Sequence, residues 1–236
     1  MASHTFSSAS FHSLAAKLKA DKASPLFALQ IGAMDGIRFD LLNQHLIEGS
    51  WSGLLVEPVK DMFSILEKTY INQPNIKLAN CAIAEHNGTL TLRRIDPKAI
   101  SQGLIPEEAL GITTGPDSHS LLNDIRLRRA FPLLKDEHIV EFTVPCLTLQ
   151  TLLSRHKISS IDLVMIDTEG ADWLIAKQLD LVHYKPQLIC LEHSSLSETD
   201  KGICVKHFID HGYQGALCKE DNENVLFFKE ELNLQS

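Results

Sequence analysis

The chain reads as an α/β protein with a doubly wound, mostly parallel, Rossmann-like sheet and a long inserted loop region. Three observations predict this. Apolar runs of strand length alternate with segments of helical apolar spacing along most of the 236 residues. The first run, Phe27 to Ile31, ends in the glycine-bracketed turn Gly32-Ala33-Met34-Asp35-Gly36, where a backbone can turn tightly and approach a ligand. Four strands end in polar groups, at Gly32 to Gly36, Glu57, Asp167 to Gly170 and Glu192-His193. Ligands in such sheets lie beyond the carboxyl ends of the strands.

Taken in order, Phe11, Leu14, Ala15 and Leu18 space a short amphipathic helix within 11–22, part of an N-terminal extension over 1–24. After the first strand, Ile37 to Ile47 reads as a helix leaving the turn. Trp51 to Val56 is the next strand, and Glu57 follows the turn by about 20 residues, where a carboxylate accepts ribose hydroxyls. Met62, Phe63, Ile65, Leu66 and Tyr70 form a helical stripe, Pro74 marks a turn, and Ile76 to Asn80 is a third strand. Asn87-Gly88 is a hairpin signal joining Cys81–Ala84 to Thr89–Leu92. From 95 to 141 the pattern is broken by Pro97, Gly103, Pro106, Gly111, Gly115, Pro116 and Pro132, which reads as an inserted lid or substrate loop. Ser118, His119 and Ser120 are its polar candidates, the two serines for substrate, while Arg126, Arg128 and Arg129 read as a solvated face.

Order returns at Val140 to Leu147, followed by a helix that Thr148 caps. Ile161 to Ile166 is a buried strand ending in Asp167-Thr168-Glu169-Gly170. A helix over 171–179, a strand over 187–191 running into Glu192-His193, a helix over 201–211 and strands at 213–217 and 225–228 complete a single domain over 1–236.

Composition sets the partners. A formal net charge of -8 argues against a phosphate backbone, so nucleic acid is not the expected substrate. Five cysteines, odd in number and without C-x-x-C, read as buried thiols in a reducing compartment and disfavour zinc. No apolar run approaches the roughly 20 residues that span a membrane, and the polar N-terminus is not a cleaved signal. The expectation is a cytoplasmic protein that avoids membranes and acts on a small molecule. Its oligomeric state is not readable.

The turn narrows the ligand. A dinucleotide needs G-x-G-x-x-G, whereas this chain has G-x-x-x-G with Asp35 inside it, and an acid there repels pyrophosphate. A cationic ligand suits it, and S-adenosylmethionine offers a sulfonium, an amino-acid head and a ribose. Methyl transfer is therefore expected over hydride transfer. Asp167 and Glu169 share one face of their strand end and can act together in the cleft. His193, with Glu192 beside it, is the first choice of base, and Asp167 or Glu169 the second. Asp167, Glu169 and Glu192 also offer hard oxygen ligands to a divalent metal such as magnesium. His207 and His211 have H-x-x-x-H spacing without a third ligand and read as a helix end.

Over about Leu26 to Phe228 these residues resemble the FkbM family of S-adenosylmethionine-dependent methyltransferases. The segment Val144-Pro-Cys-Leu-Thr-Leu-Gln-Thr-Leu-Leu followed by Ile161-Asp-Leu-Val-Met-Ile-Asp-Thr-Glu-Gly-Ala-Asp looks like the family's V-P-x-x-T-L-D-x-L-L and D-L-x-K-I-D-x-E-G-x-E. The family's turn resembles D-x-G-A-N-x-G, so Gln30 stands for its acid and Met34 for its Asn. Gln150, Met165 and Asp172 are further departures. The resemblance implies a class I methyltransferase fold, typically seven strands with the last antiparallel, and O-methylation of a sugar, polyketide or similar hydroxyl. It also implies cofactor contacts at Gly32, Gly36 and Glu57, with Asn80 and Ala82 near the adenine. Because the family's acid at position 30 commonly helps hold the cofactor's amino-acid part, Gln30 weakens that contact unless Asp35 compensates. Two other readings are a cofactor-binding module without transfer activity, which Gln30 favours, and a nicotinamide-dependent oxidoreductase, which the turn disfavours.

Overall fold

Strands buried on both faces need near-continuous apolar sequence, and four such strands form the centre of the molecule. The computed structural model describes residues 6–22, 25–49, 51–115, 129–221 and 223–232. Strands β1 (Ser7–Ala9), β2 (Leu26–Ile31), β3 (Trp51–Val56), β4 (Ile76–Ala79), β9 (Leu163–Ile166), β10 (Leu188–Glu192), β11 (Gln214–Cys218) and β12 (Asn224–Phe228) make the main sheet. Among the described residues its order is β1-β11-β12-β10-β9-β2-β3-β4. Only β12 runs antiparallel, to both β10 and β11. The expected seven strands become eight because β1 adds to β11 in parallel, Ser7 opposite Ala216.

One apolar cluster, including Leu29, Leu54, Val164, Ile189 and Phe208, covers one face of the sheet. Another, including Phe11, Leu26, Trp51, Leu163 and Phe228, covers the other. Helix α1 (Phe11–Ala20) buries Phe11, Leu14, Ala15 and Leu18 on the spacing that predicts it, and its Ser10 Oγ accepts from Ser13 N. The last long helix begins at Glu198 rather than 201 because Ser197 Oγ caps Asp200 N at 3.1 Å. All five cysteines are free and buried, as their apolar settings predict. Among the described residues no helix is long and apolar enough to cross a membrane.

Two expected elements are corrected. The helix over 37–47 is confined to α2 (Asn43–Ile47). Asp35 Oδ1 accepts Ile37 N and Arg38 N, Asp40 Oδ1 accepts Leu42 N and Asn43 N, and these side-chain turns replace the helical ladder. The hairpin at Asn87-Gly88 does not form either. Instead β6 (Gly88–Ile95) pairs antiparallel along its length with β8 (Ile139–Leu147), and β5 (Ala82–Ile83) joins the other edge of β8 in parallel.

The inserted region is more ordered than its prolines and glycines suggest. Helix α4 (Pro97–Ser101) is capped by Asp96, which accepts Lys98 N at 2.9 Å, and β7 (Thr113–Thr114) pairs with β6. Ile95, Ile100, Ile105, Ala109, Phe131 and Leu134 give the arm its own core. Arg94, only 8% exposed, ties it to α3 (Lys60–Thr69) through two 2.6 Å bonds to Asp61 and lies over the Phe142 ring. Ser118, Ser120 and His119 lie outside the described residues, as do Arg126 and Arg128.

Candidate functional site

A cavity of about 800 Å³ opens beyond the carboxyl ends of β2, β3, β9 and β10. Its lining includes Gln30, Gly32, Asp40, Glu57, Ala82, Asp167, Glu169 and Glu192. Its lining also includes Leu90 and Leu92 of β6 and Leu110, Ile112 and Thr113 of the arm.

Gly32 lets two strand ends meet. Its φ is +85°, and a Cβ there would lie 1.7 Å from the Asp167 carbonyl oxygen. Gly32 N and Ala33 N both donate to Val56 O at 3.0 Å, fastening the turn to β3. Next to it Glu57 is 5% exposed, with Oε2 accepting Met34 N at 2.9 Å and Oε1 accepting Val59 N at 2.7 Å. Burial pushes its carboxyl up to about 7 although those amides oppose the shift. The side chain is thus held rigidly at the cavity wall with lone pairs to spare.

Asp167 and Glu192 leave neighbouring strands together, since Ile166 pairs with Leu191 one residue earlier. Burial, then the charge of Glu192, pushes Asp167 up to about 7. Glu192 is 5% exposed; its Oε1 accepts the Ser194 and Ser195 hydroxyls, while Oε2 is buried without a hydrogen-bond partner. Glu169, in a positive-φ turn, lines the same cavity. The turn is held by Asp172, fully buried, which accepts Thr168 N and Gly170 N at 3.0 Å each. Burial, then Glu192 and Asp167, raise the Asp172 carboxyl.

Several expected contacts fall elsewhere. His193 is absent from the cavity lining: burial and Lys201 lower its pKa, Glu198 opposes, and its backbone N–H donates to Glu223 O. Strand alternation turns Glu192 inward and leaves the histidine out. Asp35 does not line the cavity; it is spent on the Ile37 and Arg38 amides and a 2.8 Å ion pair with Arg38. Gly36, also outside, has φ +71°, and a Cβ would come within 2.6 Å of the Tyr70 ring. Asn80 braces the site from behind, donating to Glu57 O at 2.8 Å and Pro58 O at 3.1 Å, while Ala82 lines the cavity. Among the described residues Asp167, Glu169 and Glu192 do not assemble into a group that could hold a metal ion, nor do His207 and His211. The magnesium expectation therefore finds no support in these residues.

Sequence reasoning missed Asp40. It lines the cavity, yet it sits in a stretch whose apolar spacing reads as helix.

A sheet with one antiparallel strand among parallel ones, carrying a cavity over the ends of β2 and β3, defines a class I, Rossmann-like methyltransferase fold. The family model described as the methyltransferase FkbM domain matches residues 30–228, and the chain belongs to that family. Among solved structures it is similar to a methyltransferase FkbM from Methylobacillus flagellatus KT, at 12% identity and a TM-score of 0.51, covering 87% of this chain and 43% of that one. It is also similar to the METTL16 MTase domain, at 10% identity and a TM-score of 0.46 over 92% of this chain and 65% of that one. A human methyltransferase 10 domain containing protein gives 11% identity and a TM-score of 0.45, over 92% of this chain and 79% of that one. This chain therefore spans less than half the length of the Methylobacillus structure, and at such identities that likeness speaks to the fold. No curated protein matches the sequence. The matched model describes a methyltransferase domain, and such a family implies S-adenosylmethionine as its cofactor.

Proposed function

We propose that the protein methylates a hydroxyl oxygen of a small molecule, a sugar, polyketide or related natural product, with Glu192 as the proton acceptor. The observation that carries this reading is one cavity holding Glu57 at the cofactor turn and the unpartnered Glu192 Oε2 at the neighbouring strand ends. The donor set fits the cofactor. Gln30 Oε1, Asp40 Oδ2 and Glu192 Oε2 are buried acceptors without hydrogen-bond partners, which suits ligands that bring donors and positive charge.

Glu57 would accept the ribose hydroxyls, the Gly32–Met34 turn would pack along the ligand, and Cys81, Ala82 and Ile83 offer an apolar surface for the adenine. When bound, S-adenosylmethionine supplies an electrophilic methyl group on its sulfonium. Positioning by the strand ends and the arm supports most of the rate on this reading. The acceptor hydroxyl must lose its proton as the new C–O bond forms, and on this reading the cavity-lining Glu192 Oε2 takes it. Asp167, whose carboxyl burial and Glu192 push up to about 7, can donate to or accept from the same acceptor.

Calorimetric titration with S-adenosylmethionine and S-adenosylhomocysteine, with NAD as control, tests the cofactor; a panel of hydroxyl-bearing acceptors then tests the transfer. Micromolar binding of the adenosyl ligands and a methyl ether in the product are expected. Preference for NAD, or a methyl group found on nitrogen or carbon, would overturn the reading.

A further inference from the structure

The family's acid at the end of the first strand is missing here, and the residue in its place is poorly satisfied. Gln30 is 3% exposed and lines the cavity; its Nε2 donates to Met165 Sδ at 3.7 Å, and among the described residues its Oε1 has no hydrogen-bond partner. A buried carboxamide oxygen left this way costs free energy unless a ligand donor completes it.

A carboxylate stands beside it. Asp40 lines the same cavity, and its Oδ1 is fixed by the Leu42 and Asn43 amides at 2.8 and 3.2 Å. Its Oδ2 is buried and unpartnered. Among the described residues no basic side chain pairs with it, because the nearby Arg38 is engaged by Asp35. Burial raises the Asp40 carboxyl, and the Gln30 carboxamide stands close enough to oppose that shift without completing a hydrogen bond to Oδ2. Asp35 cannot serve in its place, since both its oxygens are used within the turn.

We propose that Asp40 Oδ2 and Gln30 Oε1 together hold the ammonium group of the cofactor's amino-acid part, so that an acid ten positions downstream replaces the one absent from the strand end. An ammonium brings three donors and a positive charge, and the pair offers two buried acceptor oxygens, one of them on a carboxyl group that a bound cation would favour in its ionised form. The inference rests on the S-adenosylmethionine reading above and adds to it which residues select the amino-acid part.

The test compares two ligands on the purified chain. S-adenosylhomocysteine carries the ammonium; methylthioadenosine has the same nucleoside and sulfur but lacks the amino-acid part. Asp40→Asn keeps Oδ1 as acceptor for the two amides and removes the charge. Calorimetry should show S-adenosylhomocysteine weakened by about 10-fold or more, with methylthioadenosine within about 2-fold of the unaltered protein. Unchanged binding of S-adenosylhomocysteine, or an equal loss of both ligands, would overturn the assignment and leave Asp40 a loop-holding residue. If the unaltered protein binds neither ligand, the S-adenosylmethionine reading itself fails, a distinct result.

Discussion

The two walls of the cavity are built on opposite principles. The sheet wall presents Gln30, Asp40, Glu57, Asp167, Glu169 and Glu192 from strand ends and tight turns, several with buried oxygens. The arm wall presents Leu90, Leu92, Leu110, Gly111, Ile112, Thr113, Gly115 and Ala130, without one ionisable side chain among them. They touch at the Gly32–Gly36 turn, where a Cβ on Gly111 would lie 3.0 Å from Met34 Sδ. Polar chemistry thus rests on the part whose backbone the parallel sheet immobilises, and apolar shape on the facing wall.

The sharpest way to break this division is at Gly32. Gly32→Ala forces a Cβ against the Asp167 carbonyl at an unfavourable φ, with no flexible side chain to give way. A loss of more than about 3 kcal/mol, seen as a fall in melting temperature of about 6 °C or more, is expected; an unchanged melting temperature would mean the strand ends are not in contact. Glu192→Gln should come next, lowering kcat by about 100-fold or more while S-adenosylhomocysteine affinity holds, as steady-state kinetics beside calorimetry would show.

Glu57→Ala should weaken S-adenosylhomocysteine by about 1.5 to 3 kcal/mol, roughly 10- to 100-fold. It should also reduce a pH effect. Glu57 and Asp167 sit near 7 in the folded chain, above their ordinary values, so the folded state holds protons that the unfolded state releases. The stability they contribute is present in acid and lost as pH rises through about 7, which melting curves across that window would record. A stability that rises over the same window would contradict the burial of both carboxyls. On the arm, Leu110→Ala should raise the acceptor KM by roughly 10-fold or less and leave cofactor affinity alone. An equal loss of both would erase the distinction between the walls.

Much of the sheet wall was legible because apolar runs that stop at a glycine or an acid mark strand ends, and Gly32, Glu57, Asp167, Glu169 and Glu192 all line the cavity. What escaped depended on parity or distance. Nothing in the order Glu192-His193 tells which side chain faces inward, since alternation needs a register that only neighbouring strands supply. Asn87-Gly88 signals a local hairpin, yet β6 finds its partner some fifty residues on, where Gly88 pairs with Cys146 and Ile95 with Ile139. Asp40 was hidden by the apolar residues around it, which mimic a helix that two side-chain turns prevent.

The buried cysteines give the molecule a practical property. Burial pushes the Cys81 thiol up to about 11 and those of Cys204 and Cys218 to about 12, so few thiolates exist near neutrality; Cys146, Cys190, Cys204 and Cys218 are buried away from the cavity, which Cys81 borders. A single cysteine placed at an exposed site would therefore take a fluorophore or spin label first on the otherwise unaltered protein, and slow modification beyond it would time access to Cys81 through the cavity and, for the other four, the opening of the core.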